Sequence, residues 1–277
     1  MRRAGALLVS ALLACGDQPA GDPDATPSPS ADAADSDAGA DSAIWVPPPR
    51  TTWQWQLDGA IDTSFDVAMY DIDLVEAPQE IIDQLHADGR IVICYFSAGS
   101  RETFRPDADD FPADAVGKPL DGWPGERWVD VRDPTIRAIM ETRLDLAVTK
   151  HCDGVEPDNV EGYSNPSGFP LTAADQIDFN RFLATAAHAR GLSVGLKNDV
   201  EQVAALEPDF DWSLDEECVR YDECTGLAPF TDAGKAVFHV EYGGPDKAAT
   251  VCPATAPLDF STLIKHLSLT AWRIACP

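Results

Sequence analysis

Cationic residues are scarce in this chain. Among its 277 residues, 20 Lys and Arg stand against 47 Asp and Glu, which gives a formal net charge of −27 at pH 7. A phosphate polymer would be repelled by such a surface, so nucleic acid is not an expected partner. A polycationic partner or substrate would be attracted, although the same acidity would also serve solubility alone.

Several signatures of other chemistry are also missing. We find no serine nucleophile motif, phosphate-binding loop or dinucleotide-binding glycine pattern. No group of Cys and His residues has the spacing of metal ligands, so neither a metal nor another cofactor is expected. The chain contains no repeat of about 20 to 50 residues. We therefore expect one globular domain, and we expect it to be a monomer.

Residues 1–15 have the features of an export signal. Arg2 and Arg3 form a positive start, the apolar run 4–13 is too short to span a membrane, and residues 12–15 (LLAC) resemble a bacterial lipobox. Such lipoprotein signals are cut before the cysteine, which is then lipidated, and here that residue is Cys15. The alternative is an ordinary secretory signal cleaved near the same place. Either signal predicts an exported protein that contacts a membrane only through a lipid anchor.

The next segment, residues 16–49, is rich in Ala, Asp, Pro and Ser. Few of its residues can pack in a core, so we predict a disordered linker. The folded domain is assigned to residues 50–277, with ordered chain beginning near Ile44. This length suits one (β/α)8 barrel, which typically has about 250 residues.

Export makes disulfide bonds possible for the six cysteines other than Cys15. The spacing favours two bridges, Cys218–Cys224 around a short acidic loop and Cys252–Cys276 near the C-terminus. Cys94 and Cys152 lie in or beside predicted strands. They can equally be buried free thiols or a third bridge.

Short apolar strands that end in polar groups recur along the chain. Residues 151–159 (HCDGVEPDN) are the clearest example, because Pro157 has no N–H for a central ladder and carboxylates stand beside it. Such strands, alternating with helices, are typical of a (β/α)8 barrel whose functional groups gather at one face. The expected strands are residues 53–57, 67–70, 91–96, 128–131, the short strand within 151–159, 193–196, 212–214 and 236–240. The expected helices are residues 78–87, 134–150, 173–190 with Thr172 as cap, 200–206 and 259–272.

Acids at the ends of the fifth and seventh predicted strands would face each other across the barrel mouth. A pair of carboxyl groups that flanks a bond is the equipment of glycoside hydrolysis. One group protonates the leaving oxygen, and the other attacks the sugar or activates water.

Seven short motifs follow one another along the chain, namely residues 53–57 (WQWQL), 70–73 (YDID), 94–99 (CYFSAG), 122–128 (GWPGERW), 153–159 (DGVEPDN), 195–199 (GLKND) and 216–224. Together, from about residue 53 to residue 244, they resemble the endo-α-1,4-polygalactosaminidase family of glycoside hydrolases. The resemblance implies a (β/α)8 barrel that cleaves within chains of α-1,4-linked, partly unacetylated and therefore cationic galactosamine.

The resemblance also implies a catalytic pair, which falls on Asp158 and Glu216. We interpret Asp158 as the nucleophile and Glu216 as the general acid/base of a retaining mechanism, with an exchange of the two roles as the alternative. Residues 215–218 read DEEC where the family pattern would have Asn-Glu-Gln-Cys. The added acids could raise the pKa of a neighbouring carboxyl group or strengthen binding of a cationic sugar.

Other polar and aromatic residues near the strand ends are candidate substrate contacts. We interpret Lys197 chiefly as an ion-pair partner of the acids, since it would repel an ammonium sugar. Each remaining acid is either a substrate contact or a structural hydrogen-bond partner, and each aromatic residue is either a stacking platform or part of the core. These candidates are Asp71, Asp73, Glu156, Asp199, Glu241, Asn159, Asn198, Trp55, Tyr95, Trp123, Tyr163 and Tyr242.

A second class of function fits the same charge. A lectin-like lipoprotein without catalytic activity could use an acidic barrel mouth to hold a cationic polysaccharide. Catalysis requires two carboxyl groups about 5 to 9.5 Å apart, whereas binding requires only charge and stacking. The distance between Asp158 and Glu216 therefore separates the two hypotheses.

Overall fold

The computed structural model describes residues 43–277. The predicted signal, with Cys15, and the predicted linker up to residue 42 lie outside the described residues. Trp45 packs against buried side chains, and Ala236 N donates a hydrogen bond to Pro47 O at 2.8 Å. Within the described range, we find no helix with the length and apolar character that crossing a membrane requires.

One nine-stranded sheet forms the centre of the molecule. Eight strands run parallel, and the ninth pairs antiparallel with its neighbour. In spatial order the strands are β1 (Trp53–Gln56), β2 (Met69–Asp73), β3 (Ile91–Ser97), β7 (Gly154–Asp158), β8 (Ser193–Lys197), β9 (Trp212–Glu216), β10 (Val237–Tyr242), β11 (Ser261–Lys265) and β12 (Arg273–Ala275). The predicted α/β class is confirmed.

The sheet curls until its two edges contact each other. Trp53 Nε1 donates to Ser261 O at 2.8 Å, and Lys265 Nζ donates to Trp55 O at 2.5 Å. Further along the same seam, Leu57 N donates to Leu269 O at 3.0 Å. These bonds join the first strand, and Leu57 just after it, to the last parallel strand β11 and to the segment that follows β11.

Side chains alternate between the two faces of the curled sheet, as the strand period requires. One face carries an apolar cluster that includes Trp53, Trp55, Trp212 and Phe238, all almost completely buried. The opposite face packs against the helices through a larger cluster. The helices are α1 (Gln79–Ala87), α2 (Pro134–Thr149), α3 (Ala173–His188), α4 (Val203–Leu206), α5 (Cys218–Tyr221), α6 (Ala228–Asp232) and α7 (Ala248–Thr255).

The two longest helices begin where the sequence predicts. Asp133 caps α2, its side chain accepting from Thr135 N, and Pro134 occupies the first helical turn. Thr172 caps α3, and its hydroxyl and the Asp175 carboxylate bond each other's backbone N–H in a capping box.

Two predicted elements are wrong. Residues 259–272 do not form a helix but contain β11. The helix was predicted because Phe260, Leu263 and Ile264 have helical spacing, but a buried five-residue strand fits these apolar residues equally well. Residues 128–131 do not contribute a strand to the main sheet. Trp128 and Val129 instead belong to β6 (Glu126–Val129), which pairs antiparallel with β4 (Ser100–Glu102) and β5 (Val116–Pro119) in a small separate sheet.

Three disulfide bonds stabilise this domain. The bridges Cys218–Cys224 and Cys252–Cys276 are confirmed. Cys94 and Cys152, whose state the sequence leaves open, form the third bridge and close a loop of 58 residues between β3 and the start of β7. Cross-links that close long loops stabilise a fold mainly by restricting the unfolded chain.

Candidate active site

Three neighbouring strands end in ionisable side chains that meet. Asp158, Lys197 and Glu216 are the last residues of β7, β8 and β9. Lys197 Nζ lies 3.1 Å from Asp158 Oδ1 and 3.2 Å from Glu216 Oε2. The two carboxylate oxygens are therefore at most 6.3 Å apart, the sum of those contacts. This separation suits a carboxyl pair that works on one glycosidic bond.

Lys197 and Glu156 form a buried ion pair beneath that site. Lys197 Nζ donates to Glu156 Oε1 at 2.9 Å, and Trp55 Nε1 donates to Glu156 Oε2 at 3.1 Å. Burial by itself lowers the pKa of Lys197, but Asp158, Glu156 and Glu216 outweigh it and hold that pKa well above its usual value. Lys197 is therefore a fixed cation, and its predicted role as an ion-pair partner of the acids agrees with this geometry.

Asp71 is a fully buried carboxyl group beside Glu156. Burial raises the pKa of Asp71 well above its usual value, and the charge of Glu156 raises it further. Among the residues that the structure describes, no donor reaches either of its oxygens. A protonated Asp71 accounts for both the raised pKa and the absence of a donor, because Asp71 is then itself the donor to Glu156.

Asp158 receives hydrogen bonds on both oxygens. The Tyr95 hydroxyl donates to Oδ2 at 3.0 Å, and the backbone N–H of Asn159 donates to Oδ1 at 2.7 Å. Asn159 has a left-handed backbone (φ +61°), and its side-chain amide donates to Ser97 Oγ at 2.8 Å. These contacts fix the direction in which Asp158 points.

Glu216 is held by a side-chain amide and a phenol. Asn198 Nδ2 donates to Glu216 Oε2 at 3.3 Å, while Asn198 Oδ1 accepts from Glu216 N at 3.0 Å. The Tyr242 hydroxyl donates to Glu216 Oε1. Burial raises the pKa of Tyr242 well above its usual value, and the Glu216 charge adds to the effect, so this phenol stays protonated.

Three other candidates lie on the loops beyond the strand ends. Trp123 is 45% exposed in the turn between β5 and β6. The Tyr163 hydroxyl donates to Glu201 Oε2 at 3.2 Å, and Asn180 Nδ2 donates to Asp199 Oδ2 at 2.9 Å. Burial raises the pKa of Asp199 to about 8.

Three candidates serve the fold rather than an open surface. Asp73 is occupied by Arg105, whose Nη1 and Nη2 donate to its oxygens at 2.9 and 2.6 Å. Glu241 accepts the backbone N–H groups of Val219 and Arg220 at 2.8 and 3.1 Å. Trp55 is only 1% exposed, so its ring lies in the core and does not offer a stacking platform.

A second set of polar residues next to the site was not predicted from the sequence. Ser97, Ser100 and Glu126 are linked by hydrogen bonds, and Glu161 places a buried carboxylate oxygen near Asp158. Burial raises the pKa of Glu126 to about 7, with a further contribution from Glu102, and raises that of Glu161 to about 8. The available signals were Ser97 at the end of a strand and Glu126 inside the motif 122–128.

Comparisons with known proteins agree with this geometry. The model of glycoside-hydrolase family GH114 matches residues 34–277. The crystal structure of Aspergillus fumigatus Ega3 in complex with galactosamine superposes with a TM-score of 0.82 at 43% identity, covering 85% of this chain and 98% of Ega3. Among curated protein sequences, none matches this chain.

More distant structures share the fold. The glycoside hydrolase domain of PelA from Pseudomonas aeruginosa has a TM-score of 0.65 at 12% identity, covering 83% of this chain and 99% of that domain. Amy13B from Eubacterium rectale has a TM-score of 0.53 at 9% identity, covering 78% and 67% of the two chains. The predicted resemblance is thus confirmed by the family model and by Ega3: this chain is a glycoside hydrolase and belongs to family GH114.

Proposed function

We propose that this protein cleaves internal α-1,4-galactosaminidic bonds in a partly deacetylated, cationic polysaccharide, and that its curled sheet is a (β/α)8 barrel. The observation that carries the proposal is the approach of Asp158 and Glu216 to within 6.3 Å around Lys197. The 43% identity to Ega3, crystallised with galactosamine, supports the choice of sugar.

The proposed reaction is a double displacement. A carboxylate oxygen of Asp158 attacks the anomeric carbon and forms a glycosyl ester, while the bond from that carbon to the leaving oxygen breaks and Glu216 donates its proton to that oxygen. In the second step the Glu216 carboxylate removes a proton from water, whose oxygen attacks the same carbon and releases Asp158. Two inversions retain the anomeric configuration. The bound of 6.3 Å between one oxygen of each group is compatible with this assignment.

The hydrogen bonds support these roles for the two carboxyl groups. Asp158 accepts a bond of 2.7 Å from a backbone N–H on Oδ1, the oxygen that also lies 3.1 Å from Lys197 Nζ, so its carboxylate is held in place. Glu216 accepts a longer bond, 3.3 Å, from an amide and one from the Tyr242 hydroxyl, whose oxygen can also accept a hydrogen bond from Glu216 when Glu216 is protonated. A group that alternates between acid and base benefits from such a partner.

We propose that the substrate lies against the residues around this pair. Tyr95, Asn159, Asn198 and Tyr242 would contact the sugar at the cleaved bond, and the exposed Trp123 would stack on a sugar farther along the chain. Tyr163 would contact a neighbouring sugar. Three disulfides support export, and we propose a secreted or lipid-anchored monomer.

The test is incubation of the protein with partly deacetylated α-1,4-galactosaminogalactan, followed by mass spectrometry of released oligosaccharides. The Asp158→Asn and Glu216→Gln variants serve as matched comparisons, because each removes a charge at nearly constant shape. Release by the parent and its loss in both variants would support the enzyme. Binding without release, unchanged in the variants, would favour the lectin-like alternative.

A further inference from the structure

A buried chain of hydrogen bonds connects Asp158 to the small sheet. Asn159 Nδ2 donates to Ser97 Oγ at 2.8 Å, the hydroxyls of Ser97 and Ser100 are 2.6 Å apart, and Ser100 Oγ donates to Glu126 Oε2 at 2.9 Å. We propose that Glu126 is a positioning residue for Asp158, acting through Ser100, Ser97 and Asn159. The inference rests on the proposed function for its kinetic consequences but not for its geometry.

The direction of the chain follows from the number of protons. Ser100 has one hydroxyl proton, which it gives to Glu126, so the proton between the two serines comes from Ser97. Ser97 in turn accepts from the Asn159 amide. Every donor therefore points toward Glu126, and this carboxylate is the acceptor on which the order of the chain depends.

Burial makes the chain costly to break. Ser97 and Ser100 are fully buried, and Glu126 is 9% exposed. Without Glu126, the Ser100 hydroxyl loses its acceptor and can donate to Ser97 instead. The hydrogen bonds between Ser100 and Asn159 then no longer have one fixed direction. No water competes easily for donors that lie this deep.

The effect reaches Asp158 through the backbone of Asn159. The same residue that anchors its amide on Ser97 donates its own N–H to Asp158 Oδ1 from a left-handed conformation. The turn after β3 packs closely against the backbone of Asp158 and Asn159. Ala98 N and Gly99 N both donate to Asp158 O, and a Cβ on Gly99 would lie 1.7 Å from Asn159 O. A change in the Asn159 side chain is therefore transmitted to the carboxylate of its neighbour.

The kinetic experiment compares Glu126→Ala, Glu126→Gln, Ser97→Ala and the double variant Glu126→Ala with Ser97→Ala. We expect each Ala variant to lower kcat about 10- to 100-fold with little change in KM, because misplacement of a reacting group acts on the chemical step. Glu126→Gln should restore kcat to within about threefold of the parent, since its amide oxygen can accept from Ser100. The double variant should be no slower than the slower single variant, because both break one chain.

The matched control is Asp114→Ala, which removes an exposed acid between β4 and β5 of the same small sheet. It should leave kcat, KM and folding unchanged. Losses that multiply in the double variant, a Gln variant as slow as the Ala variant, or unchanged kcat in Glu126→Ala would overturn the inference.

A second measurement does not depend on hydrolysis. The backbone amide proton of Asn159, bonded to Asp158, should change its NMR chemical shift in Glu126→Ala and Ser97→Ala but not in Asp114→Ala. An unchanged shift in both chain variants would overturn the inference. If the parent releases no oligosaccharide, the proposed function fails, while this spectrum still decides whether Glu126 positions Asp158.

Discussion

Two buried ion clusters lie at the carboxyl ends of the parallel strands, and they differ in how their charges are balanced. In the arginine cluster, two guanidinium groups serve three carboxylates. Arg105 binds Asp73 through two bonds and Glu102 through a third, and Arg143 binds Asp107 through two bonds of 2.8 and 2.9 Å. The side chains of Asp73 and Glu102 are only 7% and 2% exposed.

In the lysine cluster, one cation serves three carboxylates. Lys197 contacts Glu156, Asp158 and Glu216, and the buried Asp71 adds a fourth carboxyl group that carries a proton. The side chains of Asp158 and Glu216 remain 17% and 23% exposed. The comparison shows that burial and charge do not by themselves identify an active site. What distinguishes the proposed active site is its larger charge imbalance, with one cation for three carboxylates, at the ends of three adjacent strands.

The largest expected effect separates the two clusters by activity. Asp158→Asn should lower kcat by at least about 1,000-fold, because the reacting carboxylate is lost while the shape is kept. Asp73→Asn, in the arginine cluster, should keep kcat within about threefold of the parent and lower only stability. Initial rates of oligosaccharide release, corrected for the folded fraction by circular dichroism, measure both. Equal losses of kcat would mean that the clusters do not differ in function.

The two cations should also separate when each is replaced by an apolar side chain. Arg105→Met leaves two buried carboxylates without their partner, so we expect a loss of about 3 to 5 kcal/mol in the free energy of unfolding. Lys197→Met should in addition lower kcat about 100-fold in the folded fraction, because Asp158 and Glu216 lose the cation that lies between them and holds their carboxylates in place. Urea denaturation and steady-state kinetics provide the two readouts. A folded Lys197→Met protein with parental kcat would remove Lys197 from the site.

Asp199, near the lysine cluster, and Asp107, in the arginine cluster, should change the free energy of unfolding with pH in opposite directions. Burial raises the pKa of Asp199, two residues beyond Lys197, to about 8, so the native state holds a proton that the unfolded state has released. Its contribution is present below pH 4 and is lost as pH rises through about 8. Burial raises the pKa of Asp107, but the hydrogen bond and charge of Arg143 outweigh burial and lower it below its usual value. The stability that Asp107 contributes is therefore lost as pH falls. Asp199→Asn should flatten the loss of stability between pH 6 and 9 by about 1 kcal/mol or more.

Asp107→Asn is the matched comparison for that measurement. It should leave the slope between pH 6 and 9 unchanged and weaken the dependence of stability below pH 4. Urea midpoints measured across pH 3 to 9 give both slopes. A parental slope in Asp199→Asn between pH 6 and 9 would contradict the assignment of a native proton to Asp199.

The smallest expected effect concerns the charge of the substrate. Because the chain carries a net charge of −27, turnover of a deacetylated substrate should weaken several-fold between about 50 and 500 mM salt, as screening reduces long-range attraction. A fully acetylated substrate should show little dependence on salt. Equal salt dependence of kcat/KM for both substrates would argue against recognition of the amino groups by charge.

The sequence predicted the approach of Asp158 and Glu216 better than it predicted the complete fold. Acids at strand ends predicted that Asp158 and Glu216 would approach each other, because parallel strands carry their ends to one face of a sheet. The helix predicted at residues 259–272 was wrong because spacing alone does not distinguish a short buried strand from a helix. The assignment of residues 128–131 to the main sheet was wrong for a related reason. Trp128 and Val129 have strand propensity, but propensity does not indicate which strand they will pair with.

The individual roles of the polar residues could not be predicted from their positions. Asp71 and Asp73 stand two residues apart on one strand, yet one carries a proton beside Glu156 and the other is bound by Arg105. Arg105 lies on a connection whose path the sequence does not reveal. The difference is therefore created by tertiary contacts, in the same way that Glu126 gains its partner Ser100 only when the small sheet forms.

Azide rescue tests the central claim most directly, namely that Asp158 is the nucleophile and Glu216 the acid/base. Asp158→Ala and Glu216→Ala are incubated with a nitrophenyl α-galactosaminide oligomer and azide, and the products are identified by NMR. The account predicts a β-glycosyl azide from Asp158→Ala, by direct displacement, and an α-glycosyl azide from Glu216→Ala, by attack on the ester at Asp158. The absence of any azide adduct, or the opposite pattern of configurations, would contradict it.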